Sequence, residues 1–430
     1  MYVAFDDTDS TRSMCTTFLA TEVVRALREY DLIGRPRLVR LNPAVPWKTR
    51  GNGALAMRLG EGRGTPSRIG RIGGKEVLCY PAQKGEADID VVLEKCSRLI
   101  DHWSRTEEDA SPGLVVSRSR PSPSLYWQAV RAIVERERVE GELQRIGALT
   151  YQLAGGRGII GAAAAMSWRP RDRTYETLVY RRRGAWGKPR KVNHTDVERL
   201  DALFPSTFNN FDREACRTAI VPHSPCPILF GVRGDDPEET ARAAASIRSE
   251  PKDRWLTLLS NQGTDDHIIS DGALLPWSSY LVRGKVAEGP RTIPGGHVLF
   301  QLETGSGDLL DCAAYEPSKG FRSVVRRLIP GDEVEAMGEL RESPRTLNLE
   351  KLHVIGLAVG RRKASNPLCR SCGKSMGSMG RSGGYRCKRC RTRAAKGESW
   401  DLVERGIEPG WYEPPVCSRR HISKPLKRMA

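Results

Sequence analysis

The chain has 430 residues, a hydrophobic content of 39% and a formal net charge of +17. This length exceeds one ordinary domain and predicts three or four, and the apolar content excludes a largely disordered chain. The chain turns acidic at Asp6, and its longest apolar stretch, from residue 159, is far shorter than the roughly 20 residues that cross a bilayer. We therefore expect a cytoplasmic protein with neither a signal peptide nor a membrane partner.

Residues 1–146 predict an α/β domain. "MYVAF" alternates like a strand, and from Thr16 the apolar residues recur at helical spacing. Further strands are predicted at "RLVRLN", "GALAMRLG" and "GLVVS", with a helix near 88–101 and helices between about 123 and 147. This succession of strands and helices is typical of an α/β unit.

Three carboxylates, Asp6, Asp7 and Asp9, lie between the first predicted strand and the helix that begins at Thr16. Open α/β sheets bind ligands at this end of their strands. Carboxylates there can hold Mg²⁺, and the helix N-terminus offers free amides to the same phosphates. The alternative is that Asp9 or Thr16 only caps the helix. Three acids within "DDTD" favour magnesium.

Residues 147–268 predict a second α/β domain, with strands at "YETLVYR", "PCPILFGVRG" and "RWLTLLSNQGT" and a helix at "PEETARAAASIRS".

Two segments, "WKTRGNGA" and "GGRGIIGA", join glycines to a cation and are candidate phosphate loops. Neither has a standard phosphate-loop spacing, so an ordinary turn stays open for each. The candidate nucleotide-binding residues in them are Lys48, Arg50, Gly51, Asn52, Gly155, Gly156, Arg157 and Gly158.

Residues 275–360 predict five strands and one short helix, at "GFRSVVRRL". This pattern indicates a small barrel of the OB type. A generic small barrel is the alternative, but a cysteine-rich segment and a basic end follow directly, as in nucleic-acid-binding proteins.

Four of the eleven cysteines form two C-x2-C pairs. Two such pairs aim four thiolates at one point and complete a tetrahedral zinc site, which predicts a zinc ribbon over 364–395. A redox dithiol pair is the alternative. Four thiolates leave no open position on the metal, so this zinc is expected to hold the fold. The predicted ligands are Cys369, Cys372, Cys387 and Cys390.

The positive charge is concentrated at the C-terminal end. Residues 361–430 contain 18 Lys and Arg against 5 Asp and Glu, which gives +13 of the total +17. Residues 396–430 therefore read as a basic tail. A solvated tail is the alternative, but a nucleic-acid partner is favoured because each neutralised phosphate releases counterions.

Nine segments together resemble one known family, the archaeal isoleucine-tRNA 2-agmatinylcytidine synthetases, or agmatidine synthases. They stand in family order across essentially the whole chain. These segments are "DDTDS…MCTTFLA", "LNPAVPWKTRGNGA", "GGRGIIGA", "PSTFNNFD", "ILFGVRG", "SNQGTDDH", "CAAYEPSKGFR", the four-cysteine ribbon and "RRHISKPL". The resemblance implies a multidomain α/β plus β protein, with a kinase-like domain, a ferredoxin-like domain, an OB-fold barrel and a zinc ribbon.

The resemblance also implies the reaction. A ligase of this family uses ATP to attach agmatine to C2 of the wobble cytidine of the CAU-anticodon isoleucine tRNA, so that AUA is read as isoleucine. ATP ends as AMP and phosphates, and the cytidine oxygen is activated by phosphorylation. The implied cofactors are ATP, magnesium and zinc, and the implied partners are this tRNA and agmatine.

By motif match, Asp6, Asp7 and Asp9 hold magnesium and nucleotide, with Asp7 and Asp9 as the metal ligands, and Thr16 is the phosphorylated threonine. The chain departs from the family pattern in a few places: Ser13 stands where glycine is expected, Ser318 where threonine is usual, and "AGGRG" lacks an asparagine. These departures weaken the second-loop assignment and leave the function in place.

Agmatine carries a guanidinium and an amine, so its pocket should offer carboxylates or aromatic faces. Asp212, Asp265 and Asp266 lie in polar clusters at predicted strand ends and are the candidates. The sequence does not choose among them.

Two rival interpretations are a non-enzymatic single-strand-binding protein and an RNA-modifying kinase or ligase with a different substrate. The first gives residues 1–275 no purpose. Magnesium-dependent ATP turnover separates it from an enzyme, and mass spectrometry of the modified nucleoside separates the two enzymes.

Overall fold

The N-terminal part of the chain forms a mixed sheet covered by helices on both faces. The structure is a computed structural model that describes residues 1–48, 51–363, 366–380, 383–395 and 400–429. The elements of this part are β1 (Tyr2–Asp6), α1 (Thr16–Ala26), β2 (Asp31–Ile33), β3 (Arg37–Arg40), β4 (Gly53–Arg63), β5 (Ser67–Ile72), β6 (Lys75–Tyr80), β7 (Ala82–Glu86), α2 (Ile89–Trp103), β8 (Gly113–Ser117), α3 (Pro123–Arg131), α4 (Arg136–Arg145), β9 (Leu149–Gln152) and α5 (Gly158–Ser167).

The predicted strand and helix that flank the acidic loop are confirmed. β1 pairs antiparallel with β4 on one side and with β8 on the other, so it lies inside the sheet. α1 begins at Thr16 and buries Phe18, Leu19 and Val23 against one face of this sheet, together with α2. α3, α4 and α5 cover the opposite face, where α5 contributes a buried run of alanines.

The predicted boundary at residue 146 falls inside this first unit. β9 pairs antiparallel with β8, and the buried residues of α5 pack in the same core as Ala4 and Val115. The three strands β5, β6 and β7 were absent from the prediction because residues 67–86 alternate charged and small residues with few large apolar ones.

The second part of the chain continues the same sheet. Its elements are β10 (Thr174–Arg181), α6 (His194–Glu198), α7 (Leu200–Leu203), β11 (Thr207–Phe208), β12 (Phe211–Asp212), β13 (Arg217–Thr218), β14 (Ile228–Gly234), α8 (Pro237–Ser246) and β15 (Lys252–Ser260), with a 3-10 turn at Arg183–Ala185. β15 pairs antiparallel with β5 and parallel with β3. The two parts therefore share one sheet of 13 strands, in which β14 and β10 lie beyond β15.

The third part is a closed barrel. Its elements are β16 (Ile268–Ile269), β17 (Ser278–Thr292), β18 (Val298–Thr304), β19 (Leu309–Ala314), α9 (Gly320–Val325), β20 (Glu333–Leu340) and β21 (Thr346–Gly356). β17 pairs with β18 and also with β20, while β19 and β20 both pair with β21. The five strands predicted between 275 and 360 are confirmed. They pair in a closed ring around a separate hydrophobic core.

The C-terminal part contains the short strands β22 (Arg361–Lys363), β23 (Gly377–Ser378), β24 (Tyr385–Arg386), β25 (Arg393–Ala394), β26 (Trp400–Leu402) and β27 (Gly410–Tyr412), with 3-10 turns at Val416–Ser418 and Leu426–Arg428. β23, β24 and β25 pair around the four-cysteine cluster. β27 pairs with β21 of the barrel. The segment predicted as a basic tail therefore differs from a free tail, since its described residues from Gly410 onward pack on the body of the protein.

In the ranges that the structure describes, no helix is both long and apolar enough to span a membrane.

Candidate active site

A cavity of about 710 Å³ lies where the two parts of the large sheet meet the chain near residue 420. Its walls come from the loop after β1, the starts of α1 and α5, the strands β3, β10 and β14, and residues 416–421. It gathers residues from both candidate phosphate loops around the acidic loop. The predicted site residues that line it are Asp6, Asp7, Asp9, Thr16, Lys48, Gly51, Asn52, Arg157 and Gly158.

The acidic loop lies directly against the first turn of α5. A Cβ at Gly158 or Gly161 would collide with Asp6, so only glycine lets the helix approach this closely. Burial, followed by the charge of Asp7, raises the pKa of Asp6 well above its usual range. Carboxylates held this close in a buried place need a cation, and the start of α5 supplies one in Arg157.

Asp7 adopts a positive φ of 55° and points toward α5. Arg157 donates a hydrogen bond from Nη2 to Asp7 Oδ2 at 2.7 Å. Burial still raises the pKa of Asp7, although Arg157 opposes this effect. The geometry thus combines incompletely compensated negative charge with the N-terminus of a helix.

Thr16 is in direct contact with the acidic loop. Its Oγ1 donates to Asp9 Oδ1 at 3.2 Å and accepts from Thr8 Oγ1 at 3.2 Å. Thr16 is the first residue inside α1, and the cap position is Cys15, which makes no side-chain cap hydrogen bond in the described chain. The alternative that Thr16 is only the helix cap is therefore wrong, and a polarised hydroxyl faces the cavity.

Cations other than Arg157 also line the cavity. Arg40 at the end of β3 and Lys48 after it both have a pKa lowered by burial. Arg233 on β14 donates from Nε to Oε1 of Glu176 on β10 at 3.0 Å, and Gln262 donates to the other oxygen of Glu176 at 2.5 Å. Sequence patterns did not reveal Arg40, Glu176 and Arg233, because each is an ordinary strand residue until the strands are placed side by side.

The first candidate phosphate loop reaches the cavity. Asn52 adopts a positive φ of 44° and donates from Nδ2 to the carbonyl oxygen of Asn42 at 2.8 Å. This hydrogen bond ties the end of the loop to the residues that precede it. Arg40 donates to the carbonyl oxygen of Gly51 at 3.3 Å. Arg50, which was also predicted to bind nucleotide, lies outside the described residues.

The second loop reaches the cavity only with its last residues. Among the described residues, Arg157 and Gly158 line the cavity, whereas Gly155 and Gly156 do not. The Gly155 carbonyl accepts from Arg136 at 2.6 Å, so this turn faces α4. Those two glycines form the turn into α5 with positive φ, and their contact with nucleotide stays a prediction.

The three carboxylates predicted to bind agmatine are engaged elsewhere. None of them lines the cavity among the described residues. Asp212 accepts from the backbone N–H of Cys417 at 2.9 Å, and Asp266 accepts from the hydroxyl of Tyr126 at 2.5 Å. Asp265 accepts from the backbone N–H of Lys424 at 2.7 Å and pairs with Lys351. The structure thus uses two of the three, Asp212 and Asp265, to hold the end of the chain.

That end, residues 413–429, is here named the C-terminal segment. Gly263 donates its N–H to the carbonyl oxygen of His421 at 2.9 Å, and Thr264 donates to that of Ile422 at 3.1 Å. Arg420 pairs with Glu339 and Glu350 of the barrel. The residues of the segment that line the cavity are Val416, Cys417, Arg419, Arg420 and His421. The matching motif "RRHISKPL" was the available sequence signal, but its charge pointed to an RNA-binding tail.

The four predicted zinc ligands meet at one point. The Sγ atoms of Cys369, Cys372, Cys387 and Cys390 all lie within 4.8 Å of one another. A hydrogen bond from the backbone of Ser371 is the main cause that lowers the pKa of Cys369 to about 6. Thiolate character and tetrahedral convergence fit a structural zinc ion.

Family models match three spans of the chain. They are described as the TiaS TCKD domain over residues 2–155, the TiaS FLD domain over residues 156–267 and the TiaS C-terminal zinc ribbon domain over residues 366–407. The chain belongs to the TiaS family. The recognition from sequence motifs is thereby confirmed, as is the four-cysteine ribbon.

Relatives match this chain over almost its whole length. It is 38% identical to the isoleucine-tRNA 2-agmatinylcytidine synthetase TiaS of Methanosarcina acetivorans, with 100% of this chain and 97% of the relative covered. It is also 38% identical to that of Archaeoglobus fulgidus over 100% of this chain and 97% of the relative. The Methanocaldococcus jannaschii protein is 35% identical over 99% of this chain and 98% of the relative.

Solved structures share the fold. A complex of TiaS with its isoleucine tRNA and ATP matches with a TM-score of 0.87 at 35% identity, over 100% of this chain and 97% of that one. A complex of TiaS with the same tRNA, AMPCPP and agmatine matches with a TM-score of 0.84 at 32% identity over the same shares. A ZRD-deleted mutant of TiaS in complex with agmatine matches with a TM-score of 0.73 at 27% identity, over 100% of this chain and 97% of that one.

Proposed function

We propose that this chain is the ligase that conjugates agmatine to C2 of the wobble cytidine of the CAU-anticodon isoleucine tRNA at the expense of ATP. The observation that carries the proposal is the contact between the Thr16 hydroxyl and Asp9, inside a cavity that two helix N-termini also face. The named relatives and the TiaS complexes with isoleucine tRNA, ATP and agmatine support the same reaction.

The chemistry requires an activated oxygen. The C2 oxygen of cytosine is a poor leaving group for an amine to displace, and phosphorylation turns it into a good one. We propose that ATP ends as AMP and phosphates in this reaction. Cations fixed around the reacting phosphoryl group stabilise the charge that it spreads over its oxygens. Arg40, Arg157 and Arg233 line the cavity and are the cations that we propose for this role.

Thr16 is proposed to become phosphorylated. Its Oγ1 already donates to Asp9, so that carboxylate can hold the proton that leaves when the oxygen forms a bond to phosphorus. The first residues of α1 and α5 line the cavity, and the positive dipole end of each helix suits the phosphates of a nucleotide. The Gly158 amide of α5 is already bonded to the carbonyl oxygen of Ser111 at 2.8 Å, so Arg157 is the donor that we propose for this side. Lys48, Gly51 and Asn52 form the other side of the proposed nucleotide site.

Asp7 and Asp9 would hold the magnesium ion. Hard oxygen donors at the mouth of a phosphate-binding cavity are the ligand type that this ion takes, and the close pair of Asp6 and Asp7 fits the presence of a cation. Bound there, the ion would supply charge neutralisation for the transferring phosphoryl group.

For the amine substrate, we propose Glu176 in place of the three predicted aspartates. It is the buried carboxylate of β10 that lines the cavity, and its partners Arg233 and Gln262 hold it in position. A solved ZRD-deleted TiaS is in complex with agmatine, which supports an amine site outside the ribbon.

The remaining parts are proposed to bind the tRNA. We propose that the closed barrel is an OB-fold, that the first and second parts are kinase-like and ferredoxin-like, and that the zinc holds the ribbon in shape for RNA contact. Since tRNA is its partner, we place the reaction in the cytoplasm.

The test is mass spectrometry of nucleosides from tRNA incubated with the protein, ATP, magnesium and agmatine. Wild type should yield 2-agmatinylcytidine, and Thr16→Val should yield none while it keeps the fold. Thr17→Val is the matched control, since Thr17 is the neighbouring buried threonine and its hydroxyl contacts Cys15 instead of Asp9. Phosphate mapped to another residue, or full product formation by Thr16→Val, contradicts the proposal.

A further inference from the structure

The C-terminal segment brings a histidine into the cavity from outside the two parts that form its other walls. His421 lines the cavity beside the first phosphate loop, where a Cβ on Gly51 would lie 3.4 Å from its Cδ2. The reaction proposed above produces a proton at the attacking nitrogen, and the roles given so far assign no acceptor for it.

The position of His421 is fixed from both sides. Its carbonyl accepts from Gly263, and the carbonyl of Ile422 accepts from Thr264 and Asp265 at 3.1 and 3.0 Å. Arg420 is held by two barrel carboxylates, and Ser423 donates to one of them, Glu350, at 2.7 Å. A side chain on backbone held this firmly has a defined place in the cavity.

His421 lines the cavity, and its side chain is exposed. Within the described residues its ring takes part in no hydrogen bond. Burial, then the charges of Arg233 and Arg40, lowers the pKa of His421 well below its usual range. The ring is therefore neutral near pH 7 and can accept a proton.

Three other bases of the cavity, Asp7, Asp9 and Glu176, already have partners. Thr16 donates to Asp9, Arg157 binds Asp7, and Glu176 holds Arg233 and Gln262. His223 also lines the cavity, on the loop before β14, and it is the competing candidate.

We propose that His421 is the catalytic residue that accepts the proton from the attacking amine of agmatine. This inference rests on the proposed function. The neutral amine forms the bond from nitrogen to C2, and the bond from C2 to the phosphorylated oxygen breaks and sends its electron pair to the leaving phosphate. The nitrogen is left with one proton too many, and that proton passes to the free ring nitrogen of His421.

The test separates phosphorylation from amine attack, using tRNA, ATP and magnesium first without and then with agmatine. His421→Gln should phosphorylate Thr16 at the wild-type rate, while the single-turnover rate of 2-agmatinylcytidine formation falls by about 100-fold, the size typical of a lost general base. With an aminooxy analogue of agmatine, whose nitrogen becomes far more acidic on attack, the rate of His421→Gln should fall much less. His102→Gln, an exposed histidine on α2, is the matched control.

Each other outcome is decisive. An unchanged rate with agmatine, an equal loss with both amines, or a loss in His223→Gln alone overturns the role of His421. Failure of His421→Gln in Thr16 phosphorylation assigns it a structural role and also overturns the proposal. If wild type itself forms no 2-agmatinylcytidine, the proposed function fails instead, so the two failures are distinguishable.

Discussion

The zinc ribbon and the C-terminal segment are both basic, and they use their charge in opposite ways. The described ribbon cations (Arg370, Lys374, Arg386, Lys388, Arg389, Arg391 and Arg393) are all exposed, and none forms an ion pair within the described residues. In the C-terminal segment, Arg420 pairs with Glu350 of the barrel at 3.1 Å, Arg428 with Asp172 at 2.8 Å and Lys424 with Asp172 at 3.1 Å.

The difference shows that a charge count does not locate an RNA-binding surface. Unpaired exposed cations are available to phosphates and release counterions when they bind. Cations paired with carboxylates of the body instead fix the segment that carries them. The first region is therefore suited to holding tRNA, and the second closes the cavity.

The largest expected effect is loss of the C-terminal segment. A chain that stops before residue 416 should lose about 100-fold or more in 2-agmatinylcytidine formation, because the cavity loses one wall together with His421. Its affinity for the tRNA should stay close to that of wild type, since the ribbon remains. Rapid-quench kinetics and a binding titration measure the two quantities. A truncated chain that modifies tRNA at the wild-type rate would show that the two basic regions do not differ as proposed.

A smaller effect is expected from the ribbon. Replacing Arg386, Arg389 and Arg393 with alanine should weaken tRNA binding and flatten the slope of log K against log salt by about 0.7–0.9 for each phosphate that is no longer neutralised. ATP-dependent phosphorylation of Thr16 without tRNA should be unchanged. Unaltered affinity and slope would place the RNA-binding surface elsewhere.

Removal of the zinc gives an independent check on the same region. Chelation should unfold the ribbon and reproduce the weakened binding, since a structural zinc site contributes its binding energy to folding. The C-terminal segment should stay docked, because its contacts are made with the barrel and the large sheet. Amide exchange of Gly263 and Thr264, which bond to that segment, reports this directly.

The smallest effect concerns pH. Burial opposes ionisation of Glu350, but Arg420 and His267 outweigh it and hold the pKa of Glu350 below its ordinary value of 4.5. A carboxyl whose pKa is lower in the folded state stabilises the fold above its unfolded value and loses this contribution as pH falls. Docking of the segment should therefore weaken below about pH 4.5. Amide exchange at Thr264 should speed up in acid in the wild-type protein but not in Glu350→Gln. Equal acid sensitivity of the two proteins would contradict this prediction.

Local sequence patterns predicted the elements whose residues lie close together in the chain. β1, α1 and the four-cysteine cluster each depend on residues close in the chain, and the structure confirms them. The continuous sheet could not be predicted, because β15 pairs with β3 and β5, which lie more than 180 residues earlier in the chain. The partners of Asp265 could not be predicted for the same reason, since Lys351 and Lys424 lie far from it in the sequence.

The shared sheet also restricts how molecules can enter the cavity. A hinge between the first two parts would have to break the ladder hydrogen bonds of β15 with β3 and β5, at a cost of roughly 1 kcal/mol for each bond even before packing is disrupted. The floor and two sides of the cavity are thus one rigid frame. Substrates therefore have to enter the cavity without movement of these two parts against each other, and residues 416–421 supply the wall that lies outside this sheet.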